Sequence, residues 1–168
     1  MDKRWILIII ILIAGLGTMY YIVDNSNSVG SAIVTFGKTT ITIPENFSVV
    51  GSGDGYVELH NKINSEDITI FDYGKGNTVK NNIQNSIAEI TKDKEYELIG
   101  NSTKKINDVS IYNVDFKFEN ETVRICGFYN NNHTYLMMVN GYDDLNKSTS
   151  DLKFIIDTMV PDYKQKQD

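Results

Sequence analysis

Three observations predict an α+β fold in which an antiparallel sheet packs with helices behind one N-terminal transmembrane helix. Residues 5–23 form an unbroken apolar run. Much of the remaining chain alternates apolar and polar residues with period two, between clusters of turn-forming residues. Two later stretches instead repeat their apolar residues at helical spacing.

The apolar run, "WILIIIILIAGLGTMYYIV", contains no charged residue, and Thr18 is its one clearly hydrophilic side chain. As a helix it would be roughly 28 Å long, close to the ~30 Å hydrocarbon thickness of a bilayer. Trp5 at one end and Tyr20 and Tyr21 at the other suit the two membrane interfaces. A secretory signal has a shorter apolar core and a cleavage site flanked by small residues. Here the best such site is Gly15-Leu16-Gly17, and cutting there would leave the apolar "TMYYIV" as a new start. A retained signal-anchor is therefore expected, and a protein secreted after cleavage is the alternative. Lys3 and Arg4 precede the run while "DNSNS" follows it. The positive-inside rule then places residues 1–4 in the cytoplasm and the chain after the anchor outside.

Residues 24–31, "DNSNSVGS", read as a flexible tether. Residues 32–163 make one domain and residues 164–168 a polar tail. In the domain, residues 39–43 alternate Thr and Ile, and Pro44 ends that strand. Strands follow at "FSVV", "YVELHN" and "DITIFDY". Val79, Ile83, Ile87 and Ile90 then mark a helix with Asn77 or Thr78 as its N-cap. Further strands read at "YELIGNS", "VSIYNVDFKF", "TVRICGFY" and "TYLMMVNGY", the last three as an antiparallel meander. Leu152, Ile155, Ile156 and Met159 line a closing helix that Ser148 is placed to cap and Pro161 to stop.

The net charge is −6, and −7 once Asp2, Lys3 and Arg4 are set aside. An acidic domain without a Lys/Arg cluster is a poor partner for nucleic acid. The lone Cys126 rules out a disulfide framework within the chain, and its apolar strand predicts a buried, inert thiol.

Few residues point to chemistry. Glu58 and His60 alternate on one strand and so share a face, a start for a metal site that nothing else in the chain completes. A solvent-facing polar pair is the simpler reading. His133 falls in the polar turn "NNNHT" and is expected to be exposed. No EF-hand spacing, phosphate loop or nucleophile elbow occurs, so no catalytic residue and no cofactor is assigned. Five N-x-S/T sequons make Asn46, Asn101, Asn120, Asn132 and Asn146 candidate glycan acceptors, several of them at turns. Ten tyrosines offer amphipathic contact area, although aromatic residues also favour strands.

Three phrases carry a family resemblance. "FGKTTITIPENFSVV" resembles the opening of PsbP-like domains, where a strand runs into a Pro-x-x-aromatic turn. "KKINDVSIYNVDFKF" is similar to their hairpin followed by a long strand, with Asn107-Asp108 where a Gly is frequent. "DLKFIIDTMVP" resembles their closing helix. The likeness covers about residues 33–162. The fold is shared with the DcrB envelope proteins and a Ran-binding nuclear-transport protein. The resemblance implies an αβα sandwich that binds or supports a partner without catalysis, and it transfers no functional residue.

The chain thus reads as a membrane-anchored, extracytoplasmic, non-catalytic binding or scaffolding module. Its expected partner is an envelope or membrane protein or a small ligand. An envelope enzyme with an undetected active site is the alternative, which a deep pocket joining Glu58, His60 and a third polar group would favour.

Overall fold

A computed structural model describes residues 32–76, 78–92, 94–119 and 121–161. The expected cytoplasmic segment, anchor, tether and polar tail, and Asn77 and Asn120, lie outside the described residues. Among those described, no helix is long and apolar enough to cross a membrane.

The chain first forms a small hairpin, β1 (Ile33–Phe36) and β2 (Thr39–Thr42). The alternation over residues 39–43 marks β2, but this strand pairs with β1 and, through a single bridge, with Val160 after the last helix, and it stands apart from the main sheet. Next come β3 (Phe47–Gly53), β4 (Tyr56–Asn61), β5 (Asp67–Lys75) and helix α1 (Val79–Thr91). Strands β6 (Glu97–Ile106), β7 (Val109–Phe118), β8 (Glu121–Asn130) and β9 (His133–Asn140) precede helix α2 (Ser148–Thr158). The seven strands from β3 onward form one antiparallel sheet in the order β3-β4-β5-β9-β8-β7-β6. The expected meander is present as β7-β8-β9.

Each sheet face carries its own apolar core. Ile83 and Ile87 of α1 lie on Val114, Phe116, Val123, Ile125 and Leu136. Leu152, Ile155 and Ile156 of α2, with Phe36 and Ile41 of the hairpin, cover Ile68, Ile70, Cys126, Phe128, Tyr135 and Met137 on the other face. The layers are therefore helix, sheet, and helix plus hairpin. Strand β8 lies between two covered faces, so every residue from 123 to 128 is buried, in keeping with a continuous apolar run. Gly127 lets α1 sit close: a methyl group there would collide with Val79, and Ile83 Cδ1 and Leu136 Cδ2 lie 2.9 and 3.1 Å away.

Thr78 occupies the α1 N-cap position in extended conformation, with no side-chain capping bond. Ser148 does not cap α2. It is the first helical residue, fully buried, and its hydroxyl donates back to the Leu145 carbonyl at 2.7 Å. The cap expectation fails because Lys147, at φ −66° and ψ −28°, already has helical backbone angles, so the helix begins before Ser148. Arg124 holds the same loop: its Nη1 donates to the Leu145 carbonyl, while Nε and Nη2 fork onto Asp115 at 2.7 and 2.8 Å.

Candidate functional site

The β5–β9 pairing brings the two halves of the sheet together and creates a polar cluster at one end of the hairpin core. Asp72 lies two residues beyond Ile70 on the inward face of β5. Across from it, the β8–β9 turn is only two residues long, with Asn131 at φ 47° and Asn132 at φ 67°, the left-handed region that Asn tolerates. His133 is thus already in β9 and inward-facing, in phase with Tyr135 and Met137.

Expected in an exposed turn, His133 is in fact buried, with its side chain about 5% exposed. The turn is shorter than "NNNHT" suggests, and the two-residue parity of the strand reaches one residue further back. Its Nδ1 lies 3.0 and 3.1 Å from the two oxygens of Asp72, whose side chain is also about 5% exposed. The same carboxylate accepts the Thr39 hydroxyl at 2.7 Å and the Gly74 amide at 2.8 Å. With the Thr39 proton committed to Asp72, the Tyr135 hydroxyl donates to the Thr39 oxygen at 2.7 Å. The imidazole stacks on the Tyr135 ring, which stacks on Phe128. Set against two carboxyl oxygens, Nδ1 is assigned as the proton-bearing nitrogen of His133.

A cleft of about 470 Å³ opens over this cluster. Its rim is two hairpin turns, Gly37-Lys38 between β1 and β2 and Asp54-Gly55 between β3 and β4, with the irregular end of β5 at Tyr73-Gly74-Lys75. They approach closely because glycine takes positive φ at residues 37, 55 and 74. A Cβ on Gly55 would lie 3.3 Å from the Asp72 carbonyl oxygen, and the Gly55 carbonyl accepts the Asp72 amide at 2.8 Å. A second, apolar groove of about 250 Å³ runs between α1 and the sheet, lined by Phe71, Tyr73, Ile90 and Leu136, with Glu89 and Ser86 also in its wall.

The two residues first considered for a metal site do not join this cleft. Glu58 is exposed on β4 and leans across Gly51 of β3. His60 Nδ1 pairs with Asp67 Oδ1 at 2.7 Å, across the β4–β5 register. Among the described residues no three His, Cys, Asp or Glu side chains are grouped to hold a metal ion. Asn46 lies in an exposed turn at φ 69° and Asn132 in the β8–β9 turn, whereas Asn101 is exposed in the middle of β6. Asn146 is exposed before α2, with its side-chain amide on Asp144. Of the tyrosines, Tyr135 and Tyr142 are core residues, while Tyr73, Tyr96 and Tyr129 are exposed. Cys126 is buried as expected, and burial pushes its thiol pKa up to about 12.

A second polar cluster sits beside the N-terminal end of α2. Tyr142 donates to Asp151 at 2.8 Å, and Asn61 donates to the buried Glu66 at 3.1 Å. Both carboxylates are raised above their ordinary pKa, chiefly by burial. Asp151 adds a like charge that raises Glu66 further.

Asp72 was not singled out from sequence. Its signal was present, since an acidic residue continues the inward Ile68-Ile70 phase of β5, but its partners lie 33 and 61 residues away.

No family model matches this chain, and no curated protein does. Solved structures do match in fold. The cyanobacterial PsbP of Synechocystis superposes with a TM-score of 0.52 at 10% identity, over 82% of this chain and 95% of that one. A protein from Bacteroides thetaiotaomicron superposes with a TM-score of 0.54 at 13% identity, over 84% of this chain but 51% of its own length. The fold is PsbP-like, and at these identities the likeness extends to the fold alone.

Proposed function

We propose that this PsbP-like domain is the non-catalytic, extracytoplasmic binding or scaffolding module of a single-pass membrane protein, and that the cleft over Asp72 and His133 is its ligand face. One observation carries the reading. The titratable pair at the cleft floor is spent on holding the structure: the carboxylate takes Thr39, Gly74 and His133, and both side chains are nearly inaccessible. A general acid or base must reach the substrate's proton within hydrogen-bond distance. Here the pair makes a rigid base instead, and the rim residues Lys38 and Asp54 supply contact groups for a small polar ligand or a segment of a membrane protein. The PsbP-like fold supports the same reading.

The anchoring part rests on residues 1–31. Residues 5–23 would hold the chain in the membrane, residues 1–4 would remain in the cytoplasm, and the cleft would face outward. Strand β1 runs from the tether side to Gly37, so the cleft lies one four-residue strand, about 13 Å, beyond the start of the hairpin.

Protease treatment of intact cells, followed by N-terminal sequencing of the membrane form, tests the placement. Digestion of the domain and an intact start are expected. Protection would overturn the topology, and a mature start at Thr18 or beyond would make the protein a secreted one. For the cleft, photocrosslinkers at positions 38 and 54 in native membranes should trap one discrete partner or ligand. An Asp54→Lys change should remove that product without altering thermal stability. Equal labelling from a crosslinker at the exposed Ile63, in the connection at the other end of β4, would refute the assignment.

A further inference from the structure

Strand β6 ends the seven-stranded sheet, and among the described residues no strand neighbours its outer flank. It is ten residues long, and eight of them are exposed. Long exposed edges invite pairing with another strand, and proteins ordinarily shorten them, cover them or scatter charge along them. Here the apolar residues Tyr96, Leu98 and Ile99 are 45–55% exposed. The charges are also segregated. Within the strand Glu97 lies at the start and Lys104 and Lys105 at the end, all three exposed.

We infer that β6 is an interface for a second copy of this chain, joined edge to edge by antiparallel pairing about a two-fold axis near Asn101. A two-fold contact brings the same patch from both copies together. It therefore sets the acidic end of each β6 beside the basic end of the other, while Leu98 and Ile99 of each copy flank the centre. Parallel pairing would oppose like charges along the strand, which is destabilising. The self-complementary charge order selects a second copy over an unrelated strand, because one sequence supplies both halves of the match. The extra residue between Leu98 and Gly100 turns every later side chain to the other sheet face, so Glu97 shares its face with Lys104 and meets Lys104 of the other copy across the axis. Asn101 lies at the axis, so a glycan on its sequon would block the contact and act as a covalent off-switch.

The test uses the purified full-length chain, unglycosylated, under mild oxidation. Buried Cys126 does not compete. Asn101→Cys should form a disulfide-linked dimer at least tenfold faster than Val50→Cys on the opposite edge strand. Glu97→Cys mixed with Lys104→Cys should cross-link, and each alone should not. Equal rates for Asn101→Cys and Val50→Cys would overturn the interface. Cross-linking of Glu97→Cys with itself would overturn the antiparallel arrangement. As a check without cysteines, Glu97→Lys should lower the dimer fraction by about tenfold, and adding Lys104→Glu should restore it. All these positions are exposed, and unchanged thermal melts of the variants establish that they fold.

Discussion

Removing the Asp72 carboxylate should release the hairpin β1–β2 from the sheet more effectively than any other single polar change. Asp72→Ala leaves three donors without their acceptor: the Thr39 hydroxyl, the His133 Nδ1–H and the Gly74 amide. Thr39 is fully buried and the His133 side chain nearly so, so water cannot replace the lost oxygens at either. Unsatisfied buried donors cost about 1–3 kcal/mol each, so the two that water cannot reach account for about 2–6 kcal/mol. A loss of about 3–5 kcal/mol is expected, a large share of the 5–15 kcal/mol typical of a domain. Asp72→Asn keeps one acceptor oxygen and should lose only about 1–2 kcal/mol. Thr39→Val removes the bridging hydroxyl at nearly constant shape and should lose about 1–2 kcal/mol. Urea unfolding of the chain from residue 32 onward, followed by circular dichroism, measures each value. Because Thr39 and Asp72 touch, their double variant should depart from additivity by at least about 0.5 kcal/mol. A loss below about 1 kcal/mol for Asp72→Ala, or strict additivity, would refute the clasp.

Glu66 and Asp151 give the stability a direction with pH. Their folded pKa values are raised by burial, so the folded state holds protons that the unfolded state releases. Stability should fall as pH rises from the ordinary carboxylate range, about pH 4, through the raised folded values. Glu66→Gln should therefore raise the melting temperature relative to the parent at pH 7 and lose that advantage near pH 4; a constant difference across the range would contradict the burial argument. Cys126→Ser should destabilise by about 1–3 kcal/mol, since a hydroxyl replaces a thiol among apolar neighbours, and a polar thiol reagent should label the native protein only as fast as it unfolds. Gly127→Ala should cost about 1–3 kcal/mol through collision with Val79 and Ile83, as read by thermal melts, and trimming Val79 to Ala in the same chain should recover part of it.

Strands β2 to β9, the two helices and the burial of Cys126 could be read from the order of residues alone, whereas β1 was not singled out. Each depends on local periodicity: a strand with one covered face alternates, and "VRICGFY" loses its alternation because β8 is covered on both. Other features depend on which elements become neighbours, and local pattern is silent there. Nothing in "KTTITIP" distinguishes a strand of the main sheet from a separate hairpin, because alternation reports one buried face and not the identity of the partner strand. His133 was misplaced by a single residue of turn length, which in a strand reverses the side chain's direction. The charge order along β6 was likewise visible, but its meaning depends on that strand lying at an edge, which only the sheet order establishes. The candidate site is the clearest case. Asp72 and His133 meet because β5 pairs with β9 across an intervening helix and three strands. Thr39 joins them because the hairpin folds over that seam. Such long-range pairing is decided by burying both sheet faces at once, a property of the whole chain that no short stretch contains.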